Sequence, residues 1–351
     1  MPTISEKILA EKSGKKRVEP GEIIEARVDY VMLNDVTGLP AFEVFKEFRT
    51  EPLTDRVVLI PDHYVPNKDI ASAEQAKAMR EFAKKYKIKN YFEVGRGGVC
   101  HQLMIEEGFV APGRLIVGAD SHTCSYGALG SFATGIGSTE AAAVMATGKL
   151  WFKVPETQKF IVDGKLNRYV MGKDIILHII GDIGVSGSLY KTMEFYGSAI
   201  SKLSLSDRIT IANMAIEAGG KAGIIPPDRR VFDYLNGRVR GNYREVYSDP
   251  DAVYSCTNGR IEDLRIAAEI LKGKKIHEDV RMIVVPASKR IFEQAVEEGL
   301  IKIFMDADAY VSGPTCGACL GGYMGVLAKG EVCISSTNRN FIGRSFPSIP
   351  F

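Results

Sequence analysis

The sequence has no apolar run approaching the roughly 20 residues that a membrane-spanning helix needs, so no membrane segment is expected. Its N-terminal stretch does not combine basic residues, an apolar core and a cleavage site, so no secretory leader is read either. It has no polybasic stripe. The short runs Lys84-Lys85 and Lys272-Gly273-Lys274-Lys275 fit solvated helix ends, and the net charge is only +2, so no nucleic-acid partner is expected. Six cysteines scattered over 351 residues do not make a disulfide framework; the thiols are expected to be reduced and the protein cytoplasmic. No repeat of short fixed period is visible. A nucleotide-phosphate loop is missing as well, because Gly135-Ile136-Gly137-Ser138-Thr139-Glu140 starts like a dinucleotide fingerprint but has Glu140 where the third glycine belongs. That segment fits a capped helix start packed on a sheet.

What is present is an ordinary globular composition, 45% hydrophobic and 25% charged, in a chain too long for one core. Short β-branched runs alternate with helix-period segments. Val57-Val58-Leu59-Ile60 precedes Ala76, Met79, Phe82, Ala83 and Tyr86 at helical spacing, and Leu115-Ile116-Val117 follows. The pattern resumes at Met282-Ile283-Val284-Val285, a helix over 290–298, and Val332-Cys333-Ile334. This predicts an α/β fold with largely parallel sheets. A stretch of different texture from Lys159 to Gly220 suggests a middle subdomain, giving three packed subdomains at 1–155, 156–247 and 248–351.

Polar motifs recur just past candidate strands. Pro61-Asp62-His63 follows Val57, Gly118-Ala119-Asp120-Ser121-His122-Thr123 follows Leu115, Ser255-Cys256-Thr257-Asn258 follows Ala252, and Ser335-Ser336-Thr337-Asn338-Arg339-Asn340 follows Val332. Open α/β sheets bind ligands outside the carboxyl ends of their strands, so the four motifs are expected to converge on one cleft. Ser206 or Asp207 is expected to cap a helix carrying Asn213 and Glu217 on one face, stopped by Gly219-Gly220. Asn258 is expected to cap a helix carrying Ile261, Leu264, Ala267, Ala268 and Leu271, which places Cys256 at a helix N-terminus that favours its thiolate.

Three of the five histidines, His63, His101 and His122, lie in polar motifs, whereas His178 and His277 look ordinary. Asp62-His63 and Asp120-x-His122 offer carboxylate–imidazole pairs, which fix a tautomer and raise basicity. Arg339 and Arg344 offer two guanidinium forks suited to carboxylates, although surface ion pairing explains either alone. Cys316-Gly317-Ala318-Cys319, with Cys256 about sixty residues upstream, supplies three thiols. Half a zinc knuckle, a redox pair and two buried residues of a tight turn are alternatives. However, Cys100, Cys124 and Cys333 are isolated and form no second C-x-x-C. Iron–sulfur clusters are usually held by four thiolates, so three would leave one iron open to substrate.

Together, Cys256 with Cys316-x-x-Cys319, Asp62-His63, Cys100-His101-Gln102, Asp120-Ser121-His122-Thr123 and Asn338-Arg339-Asn340-Phe341-x-Gly343-Arg344 resemble the aconitase superfamily over nearly the whole chain. Within it, the chain is similar to the two-subunit branch that acts on isopropylmalate or homocitrate. The resemblance implies three α/β subdomains around a central cluster cleft and a [4Fe-4S] cluster on Cys256, Cys316 and Cys319. It gives Asp62, His63, His101, Asp120, His122 and Glu217 catalytic roles. Arg339, Arg344, Asn34 and Ser121 would bind substrate, with Asn213 and Asn338 beside the cluster.

The implied reaction is loss of water from a hydroxy di- or tricarboxylate and its return in the other regiochemistry. The base in this family is a serine on a swivelling domain. No segment here matches that domain, so a small subunit carrying it is the expected partner. An RNA-binding regulator and a non-catalytic metal protein are the competing classes.

Two departures from the family pattern stand out. Tyr254 directly precedes Ser255 where Ile-Gly is usual, and Ser345 to Phe351 replace a small-residue-rich segment after Arg344. Residues missing at these two places are an expectation that an intact mass of 38.5 kDa would contradict.

Overall fold

The computed structural model describes residues 2–252, 261–286 and 289–313. They form two compact units, Met1–Tyr254 and Ser255–Phe351. Eleven strands occur among the described residues: β1 (Ile23–Arg27), β2 (Tyr30–Leu33), β3 (Val57–Leu59), β4 (Leu115–Gly118), β5 (Phe132–Gly135), β6 (Lys149–Lys153), β7 (Thr157–Ile161), β8 (Thr192–Tyr196), β9 (Ala222–Ile224), β10 (Ile283–Val284) and β11 (Tyr310–Val311).

The first unit contains a four-stranded sheet of order β3-β2-β4-β5 and a three-stranded sheet of order β7-β8-β9, both wholly parallel. The β-branched runs read from sequence become β3 and β4. Alternate residues of the larger sheet serve two cores. Val31, Leu33, Val57, Leu59 and Val117 pack on one face with Phe42, Phe45 and Phe82, while Met32, Val58, Ile116 and Ala133 pack on the other with Leu103, Met104 and Phe109. Parallel strands covered on both faces carry such continuous apolar runs.

The predicted helical spacing after β3 is the helix Ile70–Lys85, which starts at Asp69, whose carboxylate accepts from the Ser72 amide. Phe82 from this helix stacks on Phe42 of the helix Asp35–Phe45, with ring centroids 3.9 Å apart. The Gly135–Glu140 segment is a capped helix start: the Glu140 carboxylate accepts from the Gly137 amide at 2.8 Å, and the helix Ser138–Thr147 follows.

A ribbon outside these sheets was not legible in the sequence. β1 and β6 pair antiparallel, with Ile23 opposite Lys153. The N-terminal helix Ile4–Ser13 is anchored from a distance as well. The buried Glu194 carboxylate on β8 accepts from the Ile4 and Ser5 amides at 3.0 and 3.3 Å and from the Tyr196 hydroxyl at 2.7 Å. Burial pushes this carboxyl up to about 7, against the lowering effect of those hydrogen bonds.

The helix expected near Ser206 runs from Leu205 to Asn213, and its cap is Ser204 rather than Ser206 or Asp207. Ser204 has extended backbone and its hydroxyl accepts from the Asp207 amide, while Asp207 accepts from the Gly172 amide. The helix tightens to a 3₁₀ turn at Met214–Ala218, closed by Gly219 in the left-handed conformation. Asn213 and Glu217 therefore do not share one α-helical face.

The second unit, taken by itself, has helices Ile261–Leu271 and Lys289–Glu297 and strand β10 where the sequence periods suggest them, and a helix Leu300–Asp306 and strand β11, parallel to β10, that those periods do not mark. Leu264, Ala268, Ala295 and Phe304 form its core. The motif cysteines Cys256, Cys316 and Cys319, the residues Asn338, Arg339 and Arg344, the Asn258 cap and the strand at Val332 lie outside the described residues. Among the described residues, no helix is long and apolar enough to cross a membrane.

Candidate active site

In the larger sheet β2 lies between β3 and β4, so the loops leaving these three strands emerge side by side at their carboxyl ends. They deliver Asn34 and Asp35, then Asp62 and His63, then Asp120 to His122. Two of the four polar motifs thus meet as expected, while the other two lie outside the described residues.

Asp120 is the hub. One carboxylate oxygen is 2.9 Å from His101 Nε2 and accepts from the His122 amide at 2.8 Å. The other is 3.4 Å from His63 Nε2 and accepts from the Asn34 amide side chain at 3.3 Å. Its hydrogen bond with His101, joined by the charges of His101 and His63, holds the carboxyl down at about 2 despite burial. Asp120 also caps the 3₁₀ helix Ser121–Leu129, which fixes where His122 starts.

Each imidazole is held from two sides. His63 Nδ1 is 2.7 Å from Asp62, whose second oxygen accepts from the Cys100 amide at the start of the helix Cys100–Glu106. His101 Nδ1 is 3.1 Å from the Tyr126 hydroxyl. Tyr126 is fully buried, and burial pushes its phenol well above the ordinary tyrosine range. A proton kept on that oxygen donates to Nδ1, leaving the Nε2 proton for Asp120. His122 Nε2 is 3.4 Å from Glu217, and its Nδ1 is 3.3 Å from Ser121 Oγ.

Exposure is graded. Asp120 and His101 side chains are 13% and 14% exposed, whereas His63, His122 and Glu217 are 38%, 39% and 54% exposed. The outer imidazoles are the ones a ligand can reach. Asn213 donates to Ser125 Oγ at 2.8 Å on the same 3₁₀ helix, so it joins the site through Ser125. By contrast, His178 and His277 are largely exposed, 3.6 Å from Asp182 and Asp279.

Three residues of this site carry no motif of their own. Asp35 is completely buried, and its carboxylate accepts from the amides of Asp62, His63 and Tyr64 at 2.9, 2.8 and 2.7 Å. Tyr126 and Ser125 complete the list. The only sequence signal was the Asn34-Asp35 pair directly after β2, where Asn34 caps the next helix through Oδ1 and keeps its amide group free for Asp120.

His63 is held protonated to a higher pH than an ordinary imidazole. Burial opposes the charge, but the Asp62 hydrogen bond and the charges of Asp62, Asp120 and Asp35 outweigh it. Replacing Asp62 with Asn leaves burial with less opposition, so His63 should titrate at lower pH in the variant. The Cε1 proton shift followed by NMR against pH checks this, and an unmoved titration would mean that Asp62 does not govern His63.

The comparisons with known proteins agree with one another. The model of the aconitase family (aconitate hydratase) matches residues 6–250 and 248–349. The large subunit of 3-isopropylmalate dehydratase from Thermodesulfovibrio yellowstonii is 53% identical, covering 97% of this chain and 91% of that protein. The large subunit from Moorella thermoacetica is 52% identical, and large subunit 1 from Pyrococcus abyssi 51%, each over 97% of this chain and 91% and 92% of theirs. The crystal structure of Thermococcus kodakaraensis aconitase X (holo-form) is more distant, with a TM-score of 0.38 and 13% identity over 92% of this chain and 87% of that one.

The alignment to the first relative runs over 385 positions, more than the 351 residues of this chain, so that relative carries residues that this chain does not have. The two matched stretches of the family model meet at 248–250, a few residues before the departure noted at Tyr254. A family match over almost the whole length, with relatives about half identical, establishes that this chain belongs to the aconitase family.

Proposed function

We propose that this chain is the large, cluster-bearing subunit of a 3-isopropylmalate dehydratase, interconverting 2- and 3-isopropylmalate in leucine biosynthesis. The observation carrying this reading is identity of 51–53% over 97% of the chain with proteins of that name. Homocitrate isomerisation is the alternative substrate assignment. We place the protein in the cytoplasm, in keeping with the two free, buried cysteines Cys100 and Cys124.

Family membership implies an iron–sulfur cluster, and we assign its type as [4Fe-4S]. The chemistry of the cysteines fits. Burial pushes the Cys124 thiol up to about 12 and raises Cys100 as well, so both stay protonated and are unsuited to ligation as thiolates. Of the other four cysteines, we assign the thiolate role to Cys256 and the Cys316-x-x-Cys319 pair on the family motif, in keeping with the preference of such clusters for thiolates. Arg339 and Arg344 would hold substrate carboxylates, with Asn338 and Asn213 in support. When bound, the cluster supplies a Lewis acid that polarises the substrate hydroxyl.

The residues around Asp120 then manage one proton. In dehydration the C–O bond breaks and the hydroxyl leaves as water, taking a proton from the imidazole group. His63 is placed to give it, being held protonated to higher pH than an ordinary imidazole, partly exposed and backed by Asp62 and Asp120. His101 stays buried between Tyr126 and Asp120 and fixes the carboxylate that the outer imidazoles share. The carbon-bound proton goes to a base on the small subunit that the "large subunit" names of the relatives imply, which we expect to carry the swivelling domain. Hydration of the unsaturated diacid reverses these transfers at the neighbouring carbon.

The test is anaerobic reconstitution of the full chain with iron and sulfide, addition of a cognate small subunit, and absorbance of the unsaturated intermediate. Turnover of isopropylmalate with the pair, and near inactivity of the single chain, is the expected result. Turnover of homocitrate alone would move the assignment to the alternative, and full activity without the small subunit would remove the two-subunit reading.

A further inference from the structure

Beside the imidazole group lies a cleft of about 360 Å³, on whose wall Ser121 alone has so far been given a role. Ser121 forms part of its wall, with Ile136 and Glu140 from the turn after β5 and the helix start, and with Ile216 and Lys221 from the segment entering β9. Ser121 Oγ is 3.3 Å from His122 Nδ1, and Ile216 is the neighbour of Glu217, which approaches His122. The cleft and the imidazole group therefore share a boundary.

Lys221 is the unusual member. Its side chain is partly buried, and burial lowers the pKa of its ammonium against the attraction of Glu140. Among the described residues that ammonium has neither a hydrogen bond nor an ion pair. Its recorded neighbour is the ring of Tyr190, with the centroid 5.4 Å away. Glu140, whose Oε2 accepts from the Gly137 amide, attracts it from the same cleft wall without forming an ion pair. Lysines withdrawn from water are normally paired. The wall thus holds one cation, one carboxylate already bonded to a backbone amide, and two isoleucines, which leaves the ammonium open to a small anion.

We propose that Lys221 is a substrate-positioning residue, binding one carboxylate of the dicarboxylate substrate in this cleft. This deepens the isopropylmalate reading and rests on it for the identity of the substrate. The ammonium donates to the carboxylate, while Ile136 and Ile216 keep water from the pair and strengthen it. The cleft thereby sets the orientation of the carbon skeleton relative to His122, whose Nδ1 faces Ser121 on the cleft wall.

The experiment uses the reconstituted two-subunit enzyme carrying Lys221→Met or Lys221→Arg. Loss of one charge-assisted hydrogen bond raises KM for isopropylmalate by about 10- to 100-fold in Lys221→Met. The change in kcat should be several-fold smaller, and Lys221→Arg should return KM to within a few-fold of the wild type. Thermal unfolding reports whether the Met variant keeps its fold.

Calorimetric titration of malate into the same proteins separates this inference from the reaction assignment. A wild-type enzyme inert towards isopropylmalate, yet binding malate at least tenfold more tightly than Lys221→Met, would remove the reaction and keep the subsite. Equal titrations of wild type and Lys221→Met, an unchanged KM, or failure of Lys221→Arg to restore it would overturn the proposal.

Discussion

Replacing Asp120 with Asn is expected to lower kcat by about three orders of magnitude while leaving the fold intact. Asparagine is as good a helix cap as aspartate, so the start of the 3₁₀ helix Ser121–Leu129 should survive. The side-chain network does not. The wild-type carboxylate accepts from Asn34 and from the His122 amide and faces His101 and His63. An amide keeps one acceptor oxygen and sets two protons against groups that are themselves donors. Either His101 turns to its other tautomer, breaking with Tyr126, or Asn34 loses its partner.

One of the negative charges that help keep His63 protonated is lost as well. General acid–base catalysis contributes about 10²–10⁴ in rate, and one group serving three histidines should cost within that span. The measurement is kcat for the reconstituted pair, with a thermal unfolding curve as control. A loss under tenfold would show that Asp120 is not the centre of the proton chemistry.

Asp35→Ala should cost both stability and activity. The Asp35 carboxylate is fully buried and gathers the amides of Asp62, His63 and Tyr64. Hydrogen bonds to charged groups contribute about 1.5–3 kcal/mol each, but this loop is near the surface and its freed amides can recover water, so about 3 kcal/mol is expected in all. The larger effect is on catalysis. Without the clamp, Asp62 and His63 lose their fixed distance to Asp120, and a shift near 1 Å costs about 10²-fold. Denaturant unfolding and kcat together test this. Asp35→Asn, which keeps an acceptor for part of the loop, should fall between the two.

Much of this arrangement was legible because its signals are local. β-branched runs at Val57 and Leu115 mark strands, the spacing of Ala76, Met79 and Phe82 marks a helix, and the Asp62-His63 and Asp120-Ser121-His122 motifs sit directly after those strands. Convergence of loops then follows from the parallel order of β3, β2 and β4. What stayed hidden depends on distant partners or on choices among equivalent residues. Glu194 looks like any strand carboxylate until the N-terminal helix is laid on it. Ser204, Ser206 and Asp207 are all good caps, and the choice among them depends on Gly172, which occupies Asp207. Lys221 alone in a sequence resembles a solvated lysine; its placement in a cleft wall depends on the turn after β5.

The anchoring of the N-terminal helix also sets a timetable for synthesis. Ile4 and Ser5 give their amides to Glu194, and among the described residues β1 pairs with β6 alone. A ribosome adding about 5–20 residues per second needs on the order of ten seconds or more to pass from the first of these groups to the last. Until β6 follows at Lys149–Lys153, β1 has both edges bare, with Ile23 outward, and until Glu194 follows the Ile4 and Ser5 amides lack their carboxylate. The helix and β1 are thus made well before the groups that place them, and in that gap the bare edges of β1 are open to pairing with other chains.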